Sequence, residues 1–299
     1  MAKENLLPGV QLGVSPLSWT NDVLVELGGD IPLETCLKEA AEIGYQGVEL
    51  GRKFPRDGQK LSSILSDYGL RLVGGWHSGF LAERSLEEEW KAATDHVRLK
   101  DCGSQVLAYG ECGLLTGASP WDEPLSKRPD LKEIELSAYA RKLGEFAIRL
   151  KETGVTLAYH HHLKMLVERA EEIDAFCEST QEEVGLLLDT GHAYAAGADY
   201  AEILRKFGSR VVHIHLKDVR RDVLERARKN DWSFNSAVRE GMFTVPGDGD
   251  IDFSTIGEFI RTSGYRGWVV VEAEQDPAKA VPKLYTEKAY HFIGKLIAG

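Results

Sequence analysis

The chain has 299 residues, of which 43% are hydrophobic and 28% charged, a composition typical of globular proteins that excludes an intrinsically disordered chain. Its 36 Lys and Arg against 47 Asp and Glu give a net charge of −11, which argues against sequence-independent nucleic-acid binding. No apolar run reaches the roughly 18 to 20 residues of a membrane helix, and the first residues lack the apolar segment of a secretory signal, so we expect a cytoplasmic protein that does not bind membranes.

Short apolar runs rich in β-branched residues alternate along the chain with charged stretches of helical periodicity, and we predict eight strands separated by helices. Many of the predicted helices end at a glycine, such as Gly44 and Gly154, which can adopt the left-handed conformation of a helix C-terminus. The eight predicted strands are Val10–Val14, Gly47–Leu50, Leu70–Gly74, Gln105–Tyr109, Val155–Tyr159, Val184–Leu188, Val211–Leu216 and Gly267–Val271.

The nearly continuous hydrophobicity of these runs is typical of parallel strands that helices cover on both faces. Eight units in 299 residues give about 37 residues per unit, close to the size expected of a (β/α)8 barrel. No linker rich in proline or serine divides the chain. We therefore predict an α/β fold with one TIM-barrel domain over residues 1–299, in preference to two doubly wound halves.

Two segments are longer than the connections expected in a simple barrel. Residues 114–130 contain three prolines and follow strand four, and residues 219–245 follow strand seven and include the charged stretch Arg220–Asp231. Both leave the C-terminal ends of strands, where TIM barrels keep their active sites, so a lid is one interpretation. A covering helix or an oligomer contact is the other, and apolar helix stripes are also compatible with a homo-oligomer of undefined size.

Polar residues accumulate at the C-terminal ends of the predicted strands. Seven of the nine histidines lie in these segments, while His96 and His291 fall on predicted helices. Strand ends surround one mouth of a barrel, so we expect these side chains to converge there. Imidazole and carboxylate together suit a divalent ion such as Mn, Co, Fe or Zn. Carboxylates such as Asp189 and Glu272 would repel each other there unless a cation lay between them.

Strand alternation narrows the choice of metal ligands, because residues two apart share a face. The residue nearest the strand end is the better ligand, which favours His215 over His213. We interpret His213 as a packed, hydrogen-bonded residue. His160 and His162 share a face as well, and we expect His161 between them to point out of the barrel.

Three motifs resemble the barrel superfamily of the xylose isomerase-like and endonuclease IV-like proteins, namely Leu188–His192, His213–Asp218 and Pro246–Phe253. Four longer segments are similar, more narrowly, to the inosose dehydratase (2-keto-myo-inositol dehydratase) family, namely Ala158–His162, Lys217–Arg221, Gly241–Asp250 and Gly267–Pro277. The resemblance runs from Val10 to the end of the chain.

The resemblance implies a metal site built from a carboxylate after strand five, an Asp after strand six, a His after strand seven and a Glu after strand eight. The last three correspond here to Asp189, His215 and Glu272. The strand-five position holds His160, which we predict as the fourth ligand, with His162 and Glu168 as alternatives. The family implies Mn or Co, with Zn, Fe and Mg as alternatives. No residue indicates whether a thiol cofactor is required.

The family resemblance also implies a reaction, the loss of water from scyllo-inosose to give a trihydroxycyclohexane-1,2-dione in inositol catabolism. The partner would thus be a small cyclic polyol ketone, and the enzyme a hydro-lyase. Such an elimination needs a base for the carbon-bound proton and an acid for the leaving hydroxyl. We predict proton transfer by His162, His192 or His77, and substrate binding by Lys217, Asp218, Glu49, Trp76 and Glu274.

The chain departs from the dehydratase pattern directly after its triple histidine. The family usually has a Gly-Thr pair there, whereas Leu163 is followed by Lys164 and Met165 in this chain. A metal-dependent sugar or inosose isomerase or epimerase therefore remains the alternative function. The net charge of −11 and the missing strand-five carboxylate weigh against an endonuclease IV-like phosphodiesterase.

Overall fold

Parallel strands close into a barrel in the computed structural model, which describes residues 7–298. Neighbours in sequence are neighbours in the barrel, and the last strand pairs with the first to complete the ring. The eight barrel strands of the described chain are β1 (Val10–Val14), β2 (Gly47–Leu50), β3 (Arg71–Gly79), β4 (Val106–Glu111), β5 (Thr156–His160), β6 (Gly185–Asp189), β7 (Val211–Leu216) and β10 (Gly267–Val271). This architecture confirms the predicted (β/α)8 barrel.

Helices surround the barrel and follow its strands in sequence. Several of their N-termini carry side-chain caps, such as the reciprocal bonds between Ser85 and Glu88 at the start of α3. Within residues 7–298 the helices are α1 (Leu33–Ile43), α2 (Gly58–Asp67), α3 (Leu86–Val97), α4 (Leu136–Glu152), α5 (Ala170–Ser179), α6 (Thr190–Ala196), α7 (Tyr200–Phe207), α8 (Arg221–Lys229), α9 (Phe234–Arg239), α10 (Ser254–Thr262) and α11 (Pro282–Ala298). None of these helices in the described chain is long and apolar enough to cross a membrane.

Strand β3 is longer than predicted and contains an irregularity that changes which residues face the barrel interior. Against Val48 and Leu50 of β2, the partners on β3 are Leu72 and Gly75, so β3 carries one extra residue in this stretch. An extra residue reverses the alternation of side chains beyond it. If side chains alternated regularly from Val73, every second residue after it would face the barrel interior. Beyond the bulge the other set of residues faces the interior instead.

Apolar side chains fill the barrel beneath the polar mouth. Trp268, Val270 and Glu272 are two residues apart on β10, so they share the interior face. Trp268 and Val270 pack with Val73 in a buried cluster. A Cβ atom at Gly47 would lie 2.7 Å from the Trp268 ring, so glycine is needed for this close approach. Because these apolar side chains fill the interior below, the charged residues lie at the C-terminal end of the barrel.

A two-stranded antiparallel ribbon, β8 (Asp218–Val219) with β9 (Phe243–Thr244), follows β7. The Asp218 carboxylate accepts hydrogen bonds from the backbone N–H groups of Gly247 at 3.0 Å, Gly249 at 2.9 Å and Ile251 at 3.0 Å. Asp218 thereby satisfies the polar backbone of the 246–251 loop, which is the structural role of this part of the sequence motif.

We expect Asp218→Ala to lower the free energy of unfolding by about 3 kcal/mol, because several backbone N–H groups lose a charged acceptor. Urea denaturation measures this change. Asp222→Ala is the control, since that carboxylate is 71% exposed and pairs with Arg226, and its loss should cost less than about 1 kcal/mol. A stability of Asp218→Ala equal to that of the control would contradict this role.

Candidate metal centre and pocket

Four buried side chains at the C-terminal ends of adjacent strands bring their ligand atoms into one group. They are His160 of β5, Asp189 of β6, His215 of β7 and Glu272 directly after β10, and one ligand atom of each lies within 4.8 Å of the others. Strand β5 ends at His160, β6 ends at Asp189, and β7 ends one residue after His215. The site is therefore held by the sheet itself, with the apolar floor of the barrel below it.

Hydrogen bonds orient both imidazoles of this group. Nδ1 of His160 lies 2.7 Å from the carbonyl oxygen of His161, so the neutral ring donates there and keeps its lone pair on Nε2. Nε2 of His215 donates to Glu49 Oε1 at 2.9 Å, which leaves Nδ1 toward the group. A carboxylate behind a histidine is the usual way in which proteins orient a metal-binding imidazole.

Two ligand atoms of the group have no hydrogen-bond partner, which indicates that the residues suit a cation. Within residues 7–298, Asp189 Oδ2 and His215 Nδ1 are buried and have no hydrogen-bond partner. Nδ1 lies 2.6 Å from Glu272 Oε2, but the two are not aligned for a hydrogen bond. Buried polar atoms without partners are costly, and these face one another with the donor types that first-row divalent ions accept. The four residues therefore fit a divalent metal ion.

Lys217 supplies positive charge inside the mouth. Its fully buried ammonium lies 2.7 Å from Glu272 Oε1, 2.8 Å from Glu274 Oε2 and 2.9 Å from His192 Nε2, so each of its protons has an acceptor. One ammonium does not balance both Asp189 and Glu272, the two buried carboxylates of the four-residue group. The excess negative charge favours a divalent cation in this place.

The pKa shifts in the group have the same electrostatic origin. Burial raises the pKa of Asp189, but Lys217 and His215 outweigh it and lower this pKa to about 2. Burial likewise raises the pKa of Glu49, and the His215 and His213 side chains outweigh it and bring this pKa to about 2. Burial lowers the pKa of His215, yet Glu49 and Glu272 raise it well above its usual value. The carboxylates are thus ionised, and a metal ion would take the place of the His215 proton.

A second group of ligand atoms, in His162, His192 and Glu274, lies beside the first. The ring centroids of His162 and His192 lie 3.6 Å apart, with the ring planes tilted by 34°. The Lys217 ammonium already contacts His192 and Glu274, so a cation is present in this group without any metal ion. His162 donates from Nδ1 to the Leu163 carbonyl at 2.7 Å and keeps a lone pair on Nε2.

A pocket opens above the two groups, and several predicted site residues line it. Polar groups form its base and aromatic rings form one wall. The predicted residues that line it are Glu49, Trp76, His160, His162, His215, Glu272 and Glu274. His213 is buried and bonded to Glu49 at 3.1 Å, in agreement with its interpretation as a packed residue. His161 is buried too, and its Nε2 accepts from the Asp189 N–H at 3.3 Å.

The structure places His77, which we predicted as a proton-transfer residue, away from the pocket. His77 contacts Glu89 of α3 at 2.6 Å and packs against Tyr109 and Phe146, and it does not line the pocket. The reason is the extra residue in β3, after which Trp76 rather than His77 faces the interior. Adjacent side chains of a strand point to opposite faces of the sheet, so Trp76 and His77 cannot both face the pocket.

Three further predicted residues lie behind the pocket surface. Lys217 and Asp218, which we predicted to bind substrate, are fully buried and are not among the lining side chains. Lys217 balances charge and Asp218 holds the 246–251 loop. His192 is 1% exposed and lies behind the lining residues His162, Glu274 and Phe234.

Other lining residues were missed in the sequence. Ser15, Asn21 and Asp22 follow β1, and they could have been found by treating the first strand end like the others. Trp121 and Phe234 come from the two long insertions. Their aromatic rings in otherwise polar segments were the available signal, but nothing in the sequence placed them against each other.

Glu168, an alternative strand-five ligand, lies outside the four-residue group. It pairs with Arg128 at 3.2 Å and accepts a hydrogen bond from the Lys164 N–H. Lys164 has a φ of 72°, in the left-handed region. A left-handed backbone is costly for any residue with a side chain, so the lysine at this position calls for a compensating interaction.

We expect His160→Gln to weaken divalent-ion binding by more than the 10- to 100-fold that changes outside the ligand shell typically cost. His213→Gln is the matched control, because it is buried beside the same Glu49 but lies outside the four-residue group, and its cost should stay within that 10- to 100-fold range. Isothermal titration of metal-free protein measures both affinities. Equal losses would place the ion against Glu49 and His213 instead.

Comparison with known proteins gives three consistent findings. Residues 37–293 match the family model of the xylose isomerase-like TIM barrel. The chain is 45% identical over 298 residues to the rhizopine catabolism protein MocC of Rhizobium meliloti, covering 98% of this chain and 90% of MocC. It is 41% identical over 295 residues to the inosose dehydratase of Geobacillus thermodenitrificans, covering 98% of each.

A solved structure, of an IolI protein with a bound zinc atom, has the same fold. Its TM-score is 0.65 at 18% sequence identity, over 96% of each chain.

Proposed function

The chain belongs to the xylose isomerase-like TIM-barrel family and, within it, to the group of the inosose dehydratases, and we propose that it is a metal-dependent hydro-lyase acting on scyllo-inosose. The product is a trihydroxycyclohexane-1,2-dione, and the reaction belongs to inositol catabolism. The observation that carries the proposal is the four-residue donor group at the base of a pocket that also exposes His162 and Glu274.

The elimination needs one proton acceptor, one proton donor and stabilisation of charge on the ketone oxygen. The proton on the carbon next to the ketone is removed, its electron pair forms a carbon–carbon double bond, and the hydroxyl of the following carbon leaves as water. The resulting enol tautomerises to the dione. His160, Asp189, His215 and Glu272 would hold a divalent ion, which stabilises negative charge on a substrate oxygen.

His162 is the side chain that we assign to proton abstraction. It lines the pocket, and its Nδ1–H is held by the Leu163 carbonyl, so Nε2 is the nitrogen that accepts a proton. The adjacent ring of His192 and the surrounding aromatic side chains fix its position. A base needs such a fixed orientation, because proton transfer requires heavy atoms within about 3 Å.

Glu274 is the side chain that we assign to the leaving hydroxyl. It lines the pocket on the same side as His162, and Lys217 holds its Oε2 at 2.8 Å. The rings of Trp76, Trp121 and Phe234 cover the remaining wall. They exclude water and offer apolar surface to the C–H faces of a cyclic polyol.

Mn or Co is the ion that we propose, in keeping with the family resemblance, although imidazole and carboxylate ligands also accept zinc, the ion named in the related fold. A cytoplasmic location and a homo-oligomer remain predictions.

We expect His162→Asn to lower kcat by about 10²- to 10⁴-fold, because proton abstraction loses its base. Metal content should stay near one ion per chain, since His162 lies outside the four-residue group. His77→Asn is the control, and it should leave kcat within a few-fold of the wild-type value because His77 faces Glu89. Steady-state kinetics on protein checked for folding measures both variants. A larger loss in His77→Asn than in His162→Asn would overturn the assignment.

We further expect metal-loaded protein to convert scyllo-inosose into a product lighter by one water, with loss of the activity on chelation and recovery on adding Mn²⁺ or Co²⁺. Mass spectrometry of the reaction mixture decides the outcome. A product of unchanged mass would show an isomerase or epimerase in place of the dehydratase.

A further inference from the structure

The two long insertions meet above the pocket and form one lid, which we define as residues 120–127 and 231–235. Backbone bonds join the two segments, with the Leu125 N–H donating to the Trp232 carbonyl at 2.9 Å. Side chains join them too, since Asn235 donates to Asp122 at 2.8 Å. Two segments more than a hundred residues apart in sequence therefore behave as one structural unit.

The lid forms the aromatic wall of the pocket. The rings of Trp121 and Phe234, one from each segment, lie 5.2 Å apart. Both also contact the ring of His162, at 5.6 Å and 5.4 Å between centroids. A shift of the lid would thus move the pocket wall that faces the substrate, whereas the bond from Nδ1 to the Leu163 carbonyl still orients His162.

Lys164 ties this lid to the end of the barrel. Its side chain is 1% exposed, and Nζ lies 3.0 Å from the Glu123 carbonyl, 2.6 Å from the Pro124 carbonyl and 2.9 Å from the Lys127 carbonyl. These bonds use the three protons of the ammonium on one lid segment. The backbone of Lys164 is left-handed, a conformation that is costly for a side chain other than glycine.

We propose that Lys164 is a positioning residue, which fixes the lid so that Trp121 and Phe234 hold substrate against His162. The strained backbone of this lysine is offset because its ammonium donates to three carbonyl groups of one lid segment. Lys164 itself does not line the pocket, so its effect on substrate passes through the lid. The kinetic part of the proposal rests on the proposed function, whereas the structural part does not.

Lys164→Met tests the proposal, because it keeps the side-chain stem and removes the ammonium. We expect faster amide hydrogen exchange in residues 123–127, an increase in KM of about tenfold and a kcat within about twofold of wild type. Lys164→Gly is the second variant, since glycine suits the left-handed backbone and preserves folding. It should give the same two changes.

Lys142→Met is the matched control. Lys142 also donates to backbone carbonyls, those of Leu81 and Arg84 at 2.6 and 2.8 Å, but in a loop that does not line the pocket. Its removal should leave both lid exchange and KM unchanged. Trp121→Ala should raise KM as well, and the Lys164→Met/Trp121→Ala double variant should raise it by less than the product of the two separate effects.

Unchanged exchange in the lid of Lys164→Met would overturn the proposal, as would a KM effect that multiplies fully with that of Trp121→Ala. Hydrogen exchange needs no substrate. Faster exchange in the lid together with inactivity of the wild-type protein toward scyllo-inosose would therefore overturn the proposed function and leave the tether between Lys164 and the lid standing.

Discussion

Buried negative charge at the mouth of the barrel is the constraint on which the rest of the site depends. Asp189 and Glu272 are held there by strand ends, above an apolar floor that offers them no partner. Lys217 neutralises part of this charge, and the excess favours a further cation among the four donor groups. Glu49 behind His215 belongs to the same balance, because it sets the direction in which that imidazole faces.

The chemistry of the proposed reaction follows from how this charge is divided. The four-residue group fits the divalent ion, and Lys217 occupies the neighbouring group with its own ammonium. His162 lines the pocket and keeps a lone pair on Nε2. One region therefore stabilises negative charge on the substrate, while the other moves protons.

Much of the fold was predictable from the sequence because local patterns determine it. Apolar runs and helix-ending glycines located the eight barrel strands, and strand ends located the histidines and carboxylates. The direction of His77 was not predictable, because one extra residue in β3 reverses the alternation, and its pairing with β2 is a tertiary property. The adjacent Gly74 and Gly75 are the sequence feature that indicates a bulge, because glycine within a strand often marks one.

The lid was beyond sequence reasoning for a related reason. Two segments of unrelated composition interact only once the barrel brings strands four and seven around to the same end. The difference from the dehydratase pattern at Lys164 marked this position as unusual. Its role depends on a left-handed backbone and on carbonyl groups about 40 residues earlier in the chain, and neither is visible in the sequence. Substrate contacts from such loops need the folded structure.

An anomalous-difference map from crystals of protein loaded with Mn²⁺ or Co²⁺ tests the central claim most directly. The account predicts one strong peak within ligand distance of His160, Asp189, His215 and Glu272, with Lys217 still bonded to Glu274. A peak among His162, His192 and Glu274, or no peak at the four-residue group, would contradict it.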